Sequence, residues 1–259
     1  MSEQVLYEMK DGIGRVTFNR PGARNAFTLA MYEGLYDIVQ QAQNDRSVRV
    51  LVLTGAGEKA FAAGTDISEF RSFSTEADAH QYEARMERVL GTLERSNVPT
   101  IAAINGVCTG GGATIAACCD LRIGSPNARF GLPIARTLGN CLSMSNYVRL
   151  VALLGPARVK DIVFTARLME AKEAHAAGLL SEVLPDYASL QARAMELART
   201  VASHAPLTLR VTKLALRMIQ EKMTPEHDPD MILTCYMSRD FREGMDAFLN
   251  KRTPNWKAE

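Results

Sequence analysis

The stretch TIAAINGVCTGGGATIAACCD, Thr100 to Asp120, decides how this chain is read. Ile101 to Ile104 is too short for a helix and aliphatic enough for a buried strand, and Asn105-Gly106 ends it with turn chemistry. Gly110, Gly111 and Gly112 follow; three consecutive glycines cost conformational entropy, so they mark special dihedrals or backbone that something must approach closely. Ala113 to Cys119 reads as a helix whose first-turn N–H groups lack partners within the helix and face the glycines. Such a turn suits an oxyanion, and it equally suits a tight strand-to-helix junction where glycine only permits close packing. The spacing does not fit G-x-G-x-x-G, since Ile115 stands three residues after Gly112, so dinucleotide binding gains little.

Outward from this stretch, 259 residues with 47% hydrophobic content are enough for one large core with an appended helical piece. Thirty basic and 29 acidic residues leave a net charge of +1, which favours neither nucleic acid nor an anionic membrane, so any anion recognition must be local. Five cysteines, Cys108, Cys118, Cys119, Cys141 and Cys235, lie mostly in apolar segments without a C-x-x-C pair, as expected of reduced core thiols in a cytoplasmic protein. The N-terminus has no basic-then-apolar signal pattern. The uncharged run Ser96 to Cys119 is long enough for a bilayer, but Pro99, Asn105 and the glycines would strand backbone groups in lipid, so a buried core segment is expected.

In chain order, Val5–Met9 and Gly14–Phe18 around Asp11-Gly12 read as a hairpin, and Thr28 caps a helix with Leu29, Tyr32, Leu35, Val39 and Ala42 at helical spacing. Val50–Thr54 is a buried strand leaving into the small-residue loop Gly55 to Ile67, similar in character to the glycine turn. Thr75 and Asp78 form a capping pair for a helix with Tyr82, Met86, Val89 and Leu93 on one face. Leu121–Gly124 and Ala128–Phe130 are short strands, and this alternation of two strands and one helix predicts stacked units whose sheets are wrapped by helices. Beyond Ser143 the expected elements are helices at Met144–Leu154, Pro156–Thr165 and Ala171–Ala177, and a strand at Leu179–Leu184. Further helices are expected at Asp186–Ser203, Pro206–Glu221 and around Met231–Asn250. The apolar tail residues Met231, Tyr236, Phe241, Met245 and Phe248 need a partner surface, either the core or another subunit.

Five segments in order resemble the enoyl-CoA hydratase/isomerase family, the crotonase superfamily, over essentially the whole chain. They are Asn19-Arg20-Pro21 through Arg24-Asn25-Ala26; Phe61 to Ile67; Asn105-Gly106 through the three glycines to Cys119-Asp120; Ala174 to Leu179; and Phe241-Arg242-Glu243-Gly244 with Phe248 to Arg252. The resemblance implies an α/β fold with a ββα-spiral core over residues 1–200 and a C-terminal helical oligomerisation region over 201–259. It further implies a homotrimer or dimer of trimers, an acyl-CoA substrate, no cofactor beyond the CoA of the thioester, and a lyase or isomerase of fatty acid metabolism. It assigns the thioester oxygen to two backbone amides, Thr65 and Gly111, where an enolate is stabilised without a titratable side chain. The CoA moiety is expected along Arg24, Ala26, Ala62, Gly64, Asp66 and Ile67. Asp66 also has an ordinary role as a turn or cap residue, and Asp120 is expected to be structural.

Two positions depart from the family's pattern. Where hydratases of this family carry glutamates around the substrate α- and β-carbons, this chain has Thr114 and Ile134, neither of which is a general base near neutral pH. Ordinary hydration is therefore in doubt, and a non-catalytic acyl-CoA binder or a divergent decarboxylase or hydrolase is the alternative. Within the segment from Arg136 to Ser143, Arg136 is a substrate-contact candidate, while Asn140 and Ser143, with Asp66, are the acid/base candidates; each also has an ordinary hydrogen-bonding role. Cys141 and Cys108 act as nucleophiles only if partly exposed beside a positive group. His80 is expected to face solvent, and His175, His204 and His227 lack ligand spacing, so no metal site is expected.

Overall fold

The computed structural model describes residues 3–223 and 230–258; His227 lies outside them. The chain begins with a hairpin, β1 (Val5–Lys10) and β2 (Ile13–Phe18), whose two-residue turn places Asp11 and Gly12 at φ 53° and 77°. Positive φ at both central positions is the primed turn that matches strand twist. Four units of two strands and a helix follow one another: β1, β2 and α1 (Leu29–Asn44); β3 (Val50–Gly55), β4 (Ala60–Ala62) and α2 (Glu76–Glu94). The third is β5 (Thr100–Ile104), β6 (Val107–Thr109) and α3 (Gly111–Cys118), and the fourth is β7 (Leu121–Gly124), β8 (Arg129–Gly131) and the short α4 (Ile134–Thr137). Stacking places the strands in two sheets, one with β1-β2-β3-β5-β7 in order and the other with β4-β6-β8. Neighbours after the hairpin pair in parallel, as crossovers through helices require. The sequence reading gave the two-strand, one-helix rhythm but not the strands β4 and β6, which are only three residues long and sit within small-residue loops.

Alternation along the long strands divides the interior. Leu51, Leu53, Ala102 and Ile104 join the main core with α1 and α2, while Val50, Val52, Ile101 and Ala103 face the other way and are covered by α7 (Tyr187–Ser203) through Leu190, Ala194 and Ala198. Strands buried on both faces read as continuous apolar runs, which is why both were legible. Ser96 to Cys119 resolves into β5, β6 and α3, and among the described residues no helix is long and apolar enough to cross a membrane.

Past α4 come α5 (Met144–Phe164), β9 (Met169–Glu170), α6 (Ala171–Ala176) and β10 (Glu182–Val183), then α7, α8 (Pro206–Glu221), α9 (Met231–Tyr236) and α10 (Arg239–Leu249). The two helices expected at 144–154 and 156–165 are both present: α5 is broken at Gly155, whose φ 72° and ψ 157° are not helical, and Pro156 opens the second half. The strand expected at 179–184 shrinks to two residues beside β7, because the carbonyl of Ala174 receives the Leu179 and Leu180 amides and holds that backbone in the helix terminus. The single helix expected around 231–250 is two, since Ser238 leaves the helical region at ψ 156° and accepts from the Phe241 amide, starting a new helix.

The tail helices behave differently from one another. Tyr236 and Phe241 are buried in an aromatic cluster with Phe70, Phe73 and Tyr82. Helix α8 has no buried residue; Lys213 reaches inward to Asp120 and the Val98 carbonyl, while Leu207, Val211, Leu214 and Met218 form an exposed stripe.

Candidate active site

Two backbone loops and one helical wall enclose a cavity of about 560 Å³. The first loop leaves β4 as Ala63-Gly64-Thr65-Asp66. Its neighbour strand residue Phe27 donates its amide to Gly64 O at 2.8 Å and accepts from Asp66 N at 2.7 Å, so the Thr65 N–H between them points away from Phe27. Gly64 adopts φ 98°, which side-chain-bearing residues rarely take, and it lies against Thr109 O and the backbone of Gly110 and Gly111 at ordinary contact distance. The second loop leaves β6 at Gly110, which takes φ 51° and caps α3, so Gly111 N–H is one of the first-turn amides with no partner inside the helix. The helix begins two residues earlier than expected, with Gly111 and Gly112 inside its first turn. Both glycines are required by close approach: a Cβ on Gly112 would overlap the Ala62 carbonyl, and one on Gly111 would overlap the Tyr32 hydroxyl.

Buried amides hold these loops still. Asn105 donates to the carbonyls of Gly55 and Ala60, both at 3.2 Å, and Asn25 donates to Ala60 O at 2.7 Å while accepting from Arg20 N. These are the asparagines of the N-G and N-R-P…N segments, so those motifs are supports for the loop rather than parts of the reacting surface. Asp120 is structural as expected, accepting from Thr100 N at 2.7 Å and from Lys213.

Most of the residues singled out in the sequence come together here. Thr65, Asp66, Gly64 and Ile67 from the first loop line the cavity, with Arg24 and Ala26 beside them; Gly111 and Thr114 line it from α3, and Ile134, Arg136, Asn140 and Ser143 from the segment around α4. Ala62 is fully buried behind Gly112 and does not line it. Several of the polar groups are already engaged. Asp66 caps the turn Ile67–Phe70 by accepting from Ser68 N and pairs with Arg20 at 3.0 Å; burial opposes its ionisation, but the Ser68 hydrogen bonds and the Arg20 charge hold it below the usual carboxylate range. Thr114 donates to Gly111 O at 2.9 Å, and the Ser143 hydroxyl accepts from Asn146 at 3.0 Å. Cys108 is fully buried and its thiol is pushed well up by desolvation; Cys141 lines the cavity, and its hydrogen bond with Cys235 and its burial push it up as well. His80 faces solvent beside Asp230.

The helical wall carries residues that sequence reasoning missed. Tyr32, Thr65 and Tyr82 form a hydroxyl chain with O···O distances of 2.9 and 3.0 Å, ending on the Gly111 backbone that Tyr32 abuts. Glu83, next on α2, lines the cavity and accepts from the Tyr236 hydroxyl at 2.9 Å; Asn140 in turn donates to that hydroxyl at 3.3 Å. Desolvation raises the Glu83 carboxyl to about 7, against the opposing Tyr236 hydrogen bond and with a further push from Glu87. Glu83, Met86 and Leu90 recur at i, i+3 and i+7 and all line the cavity, so a carboxylate occupies the inward stripe of an otherwise apolar helix face. That spacing was the available signal.

Residues 8–259 match the family model described as enoyl-CoA hydratase/isomerase. The chain is 34% identical over 251 residues to the short-chain-enoyl-CoA hydratase of Clostridium acetobutylicum, covering 96% of this chain and 95% of that one. It is 35% identical over 260 residues to the 2,3-dehydroadipyl-CoA hydratase of Escherichia coli, covering 99% of both. A crystal structure of an enoyl-CoA hydratase/carnithine racemase from Magnetospirillum magneticum superposes with a TM-score of 0.81 at 33% identity, over 100% of this chain and 97% of that one.

Proposed function

From the premise that the chain belongs to the enoyl-CoA hydratase/isomerase family of the crotonase superfamily, we propose that it binds an acyl-CoA thioester and stabilises the thioester enolate between the amides of Thr65 and Gly111. The observation that supports this reading most is the contact of the two glycine loops at Gly64 and Gly110–Gly111, which turns two unrelated stretches of chain into one concave backbone surface. Two donors fixed by backbone geometry meet a developing oxyanion without reorganising, and that preorganisation makes such sites effective. No cofactor is needed for this step, because the thioester supplies the electron sink. Arg24, at the cavity edge beside Ala26, is the residue for the CoA phosphates.

Calorimetric titration with butyryl-, crotonyl-, octanoyl- and phenylacetyl-CoA tests the reading: saturable binding to at least one is expected, and no heat with any of them would overturn it.

The relatives named above are hydratases, and with Thr114 and Ile134 in the cavity wall this chain is proposed to hydrate crotonyl-CoA poorly. Each missing acid or base typically accounts for ~10²–10⁴-fold. Turnover of crotonyl-CoA at a rate typical of efficient enzymes, ~10–10³ s⁻¹, would contradict this. The exposed stripe of α8 is proposed to meet other copies of the chain in a trimer or dimer of trimers, consistent with its outward Leu207, Val211 and Met218. A monomer by light scattering at micromolar concentration would remove that assignment.

A further inference from the structure

We propose that Glu83 is the acid/base residue of this cavity, taking the proton from the carbon next to the thioester and returning it, with Tyr236 as the residue that positions its carboxylate. The proposal rests on the acyl-CoA reading above and supplies the group which that reading lacks, on a different element from the positions occupied by Thr114 and Ile134.

Elimination within the cavity leads to it. Among the described residues two carboxylates line the cavity, Glu83 and Asp66. Asp66 is committed to Arg20 and to capping the turn after it, and is held ionised at low pH, which makes it a poor proton acceptor. The lining hydroxyls of Thr114 and Ser143 are already hydrogen-bonded, and burial drives the phenols of Tyr32 and Tyr82 upward, far from the range of a base at neutral pH. Glu83 has no lysine or arginine partner among the described residues. Its one strong contact is a neutral hydroxyl, Tyr236, which stabilises the carboxylate without extinguishing its basicity. Glu83 also feels Glu87 from its own helix and acts on Tyr32 from α1 and Cys141 from the loop after α4, and among the described residues no cation pairs with it.

Position supports the same conclusion. Tyr32, whose hydroxyl abuts Gly111, is close enough to feel the Glu83 charge, as is Tyr82 at the other end of the hydroxyl chain through Thr65. Glu83, Thr65 and Gly111 line the same cavity, and the proposal places the α-carbon of a thioester held at the two amides on the Glu83 side of it. In the forward step the Cα–H bond breaks and its proton forms an O–H bond on Glu83. The electron pair becomes the carbon–carbon double bond of the enolate, and the carbonyl π pair moves to the oxygen held by the two amides. Reprotonation reverses every term, so no co-reactant is required. With the Glu83 carboxyl raised to about 7, both the carboxylate and the carboxylic acid are populated near neutral pH, the condition under which one group serves as base and then as acid.

The test is incorporation of deuterium at the α-carbon of butyryl-, octanoyl- or phenylacetyl-CoA in D₂O, read by mass spectrometry, beside calorimetric binding of the same thioesters. The wild type is expected to bind and exchange. Glu83→Gln is expected to bind within a few-fold of wild type and to exchange ~10²–10⁴-fold more slowly, with Glu83→Asp between the two. Tyr236→Phe removes a hydrogen bond that favours the carboxylate, so the pH at which exchange is half-maximal should move upward; a purely structural tyrosine would lower the plateau without moving the midpoint. Exchange unchanged in Glu83→Gln, or a wild type that binds and does not exchange, overturns the proposal while leaving acyl-CoA binding intact. A wild type that binds neither these three nor crotonyl-CoA overturns the acyl-CoA reading and this proposal together.

Discussion

The two walls of the cavity are made in different ways. The loop wall, Gly64–Thr65 and Gly110–Gly111, is backbone: its shape comes from φ values of 98° and 51° at two glycines and from the Asn25 and Asn105 amides that tie it down. The helical wall, with Tyr82 and Glu83 on α2, Tyr236 on α9 and Asn140 after α4, is side chain, and its central pair, Glu83 and Tyr236, comes from positions 153 apart. A backbone wall admits many sequences on the surface it presents, provided glycine stays where a Cβ would collide. A side-chain wall changes its chemistry with one substitution. The loop wall therefore suits the proposed task of holding an oxyanion, which needs only backbone, and the helical wall suits the proposed proton transfer, which needs a particular side chain.

The largest effect is expected on the stability of the helical wall. Phe70 is 2% exposed and packs edge-on against Phe73, Tyr82 and Phe241, joining the turn after the first loop to α2 and α10. Phe70→Ala is expected to cost ~3–5 kcal/mol, the usual range for a buried phenylalanine. Urea denaturation followed by circular dichroism measures it. A loss below about 1 kcal/mol would mean that α9 and α10 are held by other contacts and that the wall does not depend on its aromatic cluster.

Next is the loop wall. Gly111→Pro deletes the amide at the first helical position, where proline is otherwise tolerated, but any Cβ at 111 overlaps the Tyr32 hydroxyl. The clean comparison is thus made in a Tyr32→Phe background, between Gly111→Ala, which keeps the N–H, and Gly111→Pro, which does not. Proline is expected to slow α-proton exchange by ~10²–10³-fold relative to alanine, about 2.7–4 kcal/mol of transition-state stabilisation. Equal rates in the two would remove the Gly111 amide from the chemistry.

The same contrast explains what was legible in the sequence. Loop positions announced themselves, because a triple glycine, a small-residue loop after a buried strand and asparagines beside turns each have few physical explanations. The continuous apolar runs of β3 and β5 were equally plain, since both faces are covered. Glu83 was not found because the helix was read by its apolar residues, and a lone carboxylate on the inward stripe looks like one of the many surface glutamates of α2 until a cavity is seen opposite it. Tyr236 was seen only as apolar area seeking cover. Nothing local tells a phenol that fills a core from one whose hydroxyl meets a carboxylate on another helix. The break at Ser238 was missed for a related reason: serine within a long amphipathic run is tolerated, and only its departure from helical ψ makes it a cap.

The smallest predicted effect separates the proposed function of Glu83 from its cost to the fold. Its carboxyl stands at about 7 in the folded protein against an ordinary 4.5, so between those values the folded state holds a proton that the unfolded chain has released. Stability must then fall as pH rises through this window, because the slope follows the protons bound in the unfolded state minus those bound in the folded state, and here that difference is negative. Below about 4.5 both states are protonated at this site and above about 7 both are ionised, so the contribution is flat on either side. Glu83→Gln keeps the acceptor for Tyr236 and removes the titration. It should match the wild type at pH 4.5 and be more stable at pH 8. Because the carboxyl is only partly buried and lines an open cavity, the expected gain is on the order of 1 kcal/mol rather than the full conversion of the shift. Urea midpoints at the two pH values decide it. A variant that is destabilised at pH 8 would mean that the Glu83 carboxylate is compensated by its surroundings and supports the wall it sits in, and the division between a backbone wall for the oxyanion and a side-chain wall strained for the proposed proton transfer would lose its basis.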